Sequence, residues 1–421
     1  MKNLSAIVLL FIANSISGIA QGISMIAIPW YFARQGEMSK FGLIYILTNI
    51  IAIFWVPYSG IFIDKYNRKN IFLFVTTVSG LMLVSIAGIG YHNESLPWFL
   101  VAFVFMFTFF NYNIHYPNLY AFVQEITEVK YYGQITSYIE IQGQLSSVLA
   151  GAGAALLLEG VQGGQLNVFG IIINAPFELE AWTIYEIFMM DALTYLLAFA
   201  FIFFIKYHSL VEKKIEDSPI RKRLMVGFRY LKNNREILIF GVASHSVFVA
   251  VLITTFYLAA IYVNNHLQAG GDVYATSEIY YAVGAVFAGV AIRRIFSSIS
   301  IPFSVIIMTA LATVLFIVLG LTYNVYVFYF MFLILGLSNA GIRIQRITYL
   351  FTHIPNHVYG RATSVFTLIN IVFRILLLSL FSLPFFYQEN HVIYSFFIVS
   401  AFLFVSNWVL IKHYKSFIRA E

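Results

Sequence analysis

Apolar residues arrive in long uninterrupted runs along this chain. They do not alternate as in a half-buried strand. Twelve runs stand out, at about 5–33, 41–63, 70–90, 98–123, 133–158 and 182–206, then 237–262, 277–295, 301–322, 326–351, 361–384 and 391–411. Stretches of about 20 apolar residues match a hydrocarbon core ~30 Å thick, so each run predicts a membrane-crossing α-helix. Such a helix satisfies its own backbone polar groups within lipid. A membrane β-barrel would show short alternating segments instead. The pattern therefore predicts an all-α membrane protein with 12 transmembrane helices.

The polar stretches divide these spans six and six. The only long charged one runs from Lys206 to Arg235. It predicts an N-terminal six-helix bundle over 1–206, a cytoplasmic linker over 207–235 and a C-terminal six-helix bundle over 236–421. Inside the linker, the segment from Gly227 to Glu236 spaces aromatic and basic residues as a helix lying on the membrane surface would. The stretch from Glu159 to Ala181 is apolar but short and broken by Gly170 and Pro176, which predicts an outside hairpin or interfacial segment.

Composition agrees. The chain is 60% hydrophobic and 10% charged, whereas a soluble domain carries about a quarter charged residues. It has no cysteine, which excludes disulfides and thiolate metal sites. The net charge of +6 is not a nucleic-acid signal, because in a membrane protein the useful quantity is where the cations sit. Of 25 Lys and Arg, Arg343, Arg346 and Arg374 fall within spans. With the N-terminus inside, only Arg34 and Lys40 fall outside, so both termini are expected in the cytoplasm of a multi-pass plasma-membrane protein of the bacterial inner-membrane kind. Trp30, Trp98 and Trp182 fall near outer ends and Trp408 near an inner end, as interfacial aromatics do. No cleavable signal precedes the first span, which is expected to act as its own targeting element.

The halves repeat weakly. Tyr132-Gly133-Gln134-Ile-Thr-Ser137 opens the fifth span, and Tyr359-Gly360-Arg361-Ala-Thr-Ser364 the eleventh. Six-plus-six repeats of this kind place a substrate site at the midplane between halves.

Between spans two and three lies the charged turn Gly60-Ile-Phe-Ile-Asp64-Lys65-Tyr66-Asn67-Arg68-Lys69. It resembles the signature of the major facilitator superfamily, with Asn67 in place of the second glycine. Asn tolerates the left-handed backbone such a turn can need. The resemblance implies two six-helix bundles alternating access to a central site, with Gly60, Asp64, Arg68 and Lys69 forming a gating latch between spans two and eleven. Pro117 with Glu125 and Gly133, the stretch Asp191-Ala-Leu-Thr-Tyr195, and Gly227-Phe-Arg-Tyr-Leu-Lys look like the drug-efflux branch that includes macrolide and enterobactin exporters. Gly151-Ala-Gly153 is similar to the antiporter-associated motif of span five, without its proline.

Several residues within spans could carry chemistry. Arg374, and Arg343 with Arg346 three residues on, predict a positively lined cavity, because intramembrane cations face a cavity or a partner; for Arg343 and Arg346, snorkelling toward the inside surface or pairing with Glu140 is the bland reading. Glu140 is the expected proton carrier, as an embedded carboxylate, with Asp191 second to it and more suited to helix packing. His115 and His245 are candidates for proton relay or substrate contact, and Asn111 lies one turn from His115 on its face. Asn14, Ser17, Gln21 and Ser24 form a polar stripe on span one that is expected to face the cavity or to hydrogen-bond between helices.

These readings converge on a secondary active transporter, expected to be a monomer, with a small-molecule substrate, protons and membrane lipids as partners. Proton-coupled efflux of an amphipathic or anionic organic compound is the leading expectation. Uptake of an anionic metabolite or siderophore, and lipid or lysolipid flipping, are its rivals. There is no P-loop, no ligand spacing for a metal, no cofactor motif and no nucleophile–base pair suggesting an enzyme.

Overall fold

The computed structural model describes residues 3–161, 165–168, 171–174, 177–209, 220–296 and 298–420. Twelve helices among these residues are long and apolar enough to cross a membrane. Spans one to six are Leu4–Arg34, Met38–Ile63, Arg68–Asn93, Trp98–Ile126, Gln134–Glu159 and Ile184–Phe203. Spans seven to twelve are Arg235–His266, Gly271–Ile292, Ile301–Leu321, Val325–His353, Val358–Phe381 and Val392–Lys412. Most ends lie within a few residues of the hydropathy reading. Span eight is the exception at its start, since its helix begins at Gly271 rather than near 277. Its opening residues Asp272, Thr276 and Ser277 lower the hydropathy, yet Tyr274, Thr276 and Ser277 are buried against neighbouring helices.

The helices form two compact units. The first comprises Met1–Phe32 with Phe54–Asp217, the second Ala33–Ile53 with Ser218–Glu421. The first half of span two thus packs as part of the second unit.

In the first unit, spans three and six pack closely. A Cβ on Gly90 would lie 2.3 Å from the Cβ of Tyr185, so only glycine permits that approach. Leu10, Phe72, Phe122, Ile135 and Ile202 build the apolar core at one end of this unit. There Asn3 donates to the carbonyls of Ile126 and His208, both at 2.9 Å, tying the start of span one to the ends of spans four and six. Between spans five and six, β1 (Gln165–Val168) pairs antiparallel with β2 (Ile171–Asn174), and a bridge from Val161 to Leu179 closes the base. The Gly- and Pro-broken segment therefore forms a short hairpin. Its Gly170 and Pro176 lie outside the described residues.

In the second unit, span eight packs against span ten and span nine against span twelve. Span seven is not a regular helix. Ala259 N–H bonds back to Thr254 O, and Leu267 N–H to Tyr262 O, each five residues earlier, so two π-turns widen it at Thr254–Leu258 and Tyr262–His266. The linker holds the helix Ile220–Asn233, which lies on span eleven; a Cβ on Gly227 would meet Arg361 O at 2.3 Å. Met225 and Phe228 of this helix are exposed. Lys213 and Lys214 of the linker lie outside the described residues.

Candidate functional site

The first unit gathers most of the polar residues picked from the sequence. Span one presents Asn14 and Ser24 inward. Asn14 Oδ1 lies 2.6 Å from His115 Nε2 on span four. Ser24, fully buried, donates to Asp191 Oδ2 on span six at 2.8 Å. The span-one stripe was expected to face a cavity first, but at Asn14 and Ser24 it bonds between helices within the unit. Ser17 is turned back to Ala13 O, and Gln21 is half-buried. Asn111, expected near the substrate, is buried and donates to Ser79 on span three at 2.8 Å. Polar side chains used in this way fix helix packing.

Asp191 is 1% exposed, and its Oδ1 has no hydrogen-bond partner among the described residues. A carboxylate in that position would be an ion without a matching charge, which costs several kcal/mol. Glu140 is the reverse case. Its carboxylate accepts from Tyr120 at 2.6 Å, but its side chain is exposed rather than embedded. The burial expected of the proton carrier is therefore found at Asp191 and not at Glu140. The depth of Glu140 along the chain was readable, and the direction it faces was not. An ionisable group exposed on a span faces water rather than lipid. On span four Tyr116 lies within electrostatic range of the Glu140 carboxylate, and its ring meets that of Tyr112 at 4.4 Å, tilted by 43°.

The charged turn also belongs to this unit. Asp64 sits in the last turn of the helix Met38–Lys65, and its side chain is outside the described residues. Gly60 has open space where a Cβ would stand. Asn67 caps span three by accepting from Asn70 N–H and donates to Tyr207 at 3.0 Å. Burial pushes the Tyr207 phenol above its usual range, opposed by that bond. Arg68 pairs with Glu125 on span four at 2.6 Å. Lys69 donates to the carbonyls of Phe203 and Ile205, at 2.9 and 2.7 Å. A cation on the orphan carbonyls of a helix end is favourable.

The three span arginines lie in the second unit. Arg374, expected to line a cavity, is 7% exposed and reaches Tyr45 on span two. Arg346 is 6% exposed and donates to Ser244 O at 3.0 Å. Arg343 is half-buried. Neither Arg346 nor Arg374 presents a solvated cation. A guanidinium needs its donors satisfied once removed from water, and the nearest acceptors here are protein groups. His245 is likewise committed, its Nδ1 on Gly241 O and its ring stacked on Phe366.

One ionisable residue escaped the sequence reading. Glu278 on span eight takes a hydrogen bond from Thr255 in the first π-turn of span seven, and its Oε1 has no partner among the described residues. No cluster of three or more His, Asp or Glu suited to a metal ion occurs among the described residues.

A model of the Major Facilitator Superfamily matches residues 10–378. No curated protein matches the sequence. Solved structures similar in fold include the nucleoside transporter NupG, at 12% identity and a TM-score of 0.70, covering 97% of this chain and 99% of that one. The POT family transporter PepTSo is similar at 11% identity and a TM-score of 0.72, covering 99% of each. The D-xylose-proton symporter is similar at 11% identity and a TM-score of 0.70, covering 97% of each. At these identities the likeness is one of fold.

Proposed function

Since this chain belongs to the Major Facilitator Superfamily, and so is a multi-pass membrane transporter, we propose that it exports an amphipathic organic compound in exchange for protons. The observation that carries the coupling is the Asp191 carboxyl, buried, with a hydrogen bond from Ser24 to one oxygen and no partner for the other among the described residues. Taking up a proton removes the uncompensated charge, and losing it requires access to water, which a moving carrier can grant on one side at a time. The face bearing Glu140, Tyr112, Tyr116 and Tyr120 is the solute wall in this reading. Tyrosine offers an apolar body with a polar tip, which suits an amphipathic ligand. The burial of Arg346 and Arg374 weighs against an anion-selective site.

Export is supported by the close packing of spans one and five. A Cβ on Gly22 would lie 2.6 Å from that of Ala150, and one on Gly153 would meet Ile23 at 2.7 Å. This is the segment similar to the antiporter-associated motif. Uptake is the second reading, favoured by two structures of similar fold, a nucleoside transporter and a D-xylose-proton symporter. The charged turn is assigned a gating role at Asp64, with Gly60, Arg68 and Lys69 supporting it.

The test uses the purified protein in liposomes holding a pH-sensitive dye, with a pH gradient imposed. Ethidium serves as the amphipathic cation, anilinonaphthalene sulfonate as the anion, and a nucleoside and a pentose as uptake-type solutes. A proton current on adding ethidium, absent in Asp191→Asn, is expected. A full proton current in Asp191→Asn, or none in the wild type with any of the four, overturns the reading. Accumulation in everted rather than right-side-out vesicles fixes the direction.

A further inference from the structure

We propose that Glu278 is a second proton-binding site, held by the second unit through Thr255 as Asp191 is held by the first through Ser24. The inference rests on the proton coupling proposed above and extends it from one carboxyl to two.

The local geometry comes first. Span eight starts at Gly271, which puts Glu278 two turns inside the helix, at the level of the span-seven π-turn. A π-turn inserts one residue into the helical register and disturbs the regular ladder of backbone bonds, and such turns are frequent at functional sites. Here the turn sets Thr255 between two groups of span eight. Its carbonyl accepts from the Tyr274 hydroxyl at 2.8 Å, and its side chain bonds the Glu278 carboxyl. Thr255 thus holds both residues, one turn apart, to span seven. The neighbouring Thr254 is fully buried, and its Oγ1 has no partner among the described residues. A buried carboxyl oxygen and a buried hydroxyl both lacking partners make an unusual concentration of unmet polar atoms for a native interior. A proton on the carboxyl removes its charge and lets it donate as well as accept.

The two units also match in position. Ser24 and Thr255 stand at the same distance from the first residues of their spans, Leu4 and Arg235. Spans one and seven are the leading helices of the two six-helix repeats. Each therefore offers a hydroxyl, the same number of residues along its span, to a carboxyl on another helix of its own unit, span six in one case and span eight in the other. The hydroxyl position repeats, and the carboxyl does not. A sequence comparison of the halves passes over such a pair.

The groups around Glu278 leave room for the titration. On its own helix the nearest is Tyr274, within electrostatic range of both Glu278 and Tyr45. Span seven contributes the hydroxyls of Thr254 and Thr255, and at its far end His266, whose Nδ1 is engaged by Asn390 and Nε2 by Thr322 O. Span ten contributes Tyr329, stacked on Tyr280 at 5.0 Å, and Asn339, bonded to Tyr281. Its cations Arg343 and Arg346 lie further along the helix than Gly336, which already packs against Tyr281. Span eleven contributes Arg374, bonded to Tyr45.

Infrared spectroscopy of the full-length protein in lipid tests this without a known substrate. The probe is the proton itself, delivered by stepping the buffer between acidic and alkaline pH. A protonated carboxyl shows a carbonyl stretch absent from the ionised form, and exposed carboxyls contribute only in acid. The wild type is expected to show two buried-carboxyl components that come and go reversibly. Asp191→Asn removes one and Glu278→Gln the other. Persistence of both components in Glu278→Gln overturns the proposal. Loss of only the Asp191 component, with nothing assignable to Glu278, overturns it while leaving the first reading intact. Loss of only the Glu278 component does the reverse. If Glu278→Gln fails to fold, Thr255→Val is read instead. Removing the hydroxyl is expected to shift the Glu278 component to higher frequency, and an unshifted band overturns the proposal equally.

Discussion

Arg68 and Glu125 meet at 2.6 Å with side chains 17% and 12% exposed. A pair so withdrawn from water is costly to break from one side, because the remaining charge is left uncompensated. Glu125→Ala is expected to lower stability by about 3 kcal/mol, read as a drop in the thermal midpoint of the detergent-solubilised protein. Glu125→Gln, which keeps an acceptor, should lose clearly less. An unchanged midpoint in Glu125→Ala would show the pair to be idle. In a separate transport assay with ethidium as the probe, Asp64→Asn is expected to cut the rate several-fold while inserting at wild-type levels, and a wild-type rate would remove Asp64 from the gate. At this scale the sequence was a partial guide. It identified Arg68 and Lys69 through the charged turn that resembles the family signature, and His115 and Asp191 because polar groups in apolar runs are conspicuous. It could not say which of Glu140 and Asp191 faces the interior, because facing depends on helix rotation. Glu278 escaped because span eight was read as starting near 277, which made the residue look interfacial rather than two turns deep.

The helices themselves were legible because twenty apolar residues in a row have few alternatives. Their pairing was not, since it turns on backbone approach rather than on hydropathy. Spans eight and ten show this. A Cβ on Gly284 would fall 1.8 Å from Leu333 O, and one on Gly336 2.0 Å from Tyr281 O. The two glycines let each backbone seat against the other, as small residues do at membrane helix interfaces. Gly284→Ala must push the helices apart and is expected to destabilise by about 1–3 kcal/mol. Gly289→Ala, in the same span but with nothing within 4 Å of the added carbon, should be neutral or stabilising, because alanine favours helix over glycine by about 1 kcal/mol. Chemical denaturation in mixed micelles separates the two. Equal midpoints would mean the close approach is easily relieved. The π-turns of span seven had no sequence signal either, since the register shift lies in hydrogen bonds that residues of ordinary apolar character can make.

For the molecule as a whole, the consequential expectation is orientation in the bilayer, which rests on the placement of cations alone. Lys and Arg retained on the cytoplasmic side set topology during insertion. The charge list allows only Arg34 and Lys40 on the far side, a bias too strong to reverse by miscounting one loop. The chain offers a clean way to check it, because it contains no cysteine and any introduced thiol is a sole reporter. Ser95, exposed between spans three and four, and Lys222, exposed on the linker helix, lie on opposite sides in this topology. Ser95→Cys is expected to react with a membrane-impermeant maleimide in intact cells, and Lys222→Cys only after permeabilisation. The reverse pattern would invert the protein. It would then place the Asp64 turn on the outer face, so a gate closing the cytoplasmic side could no longer be assigned to it, while the direction read from everted vesicles, which the membrane itself defines, would stand.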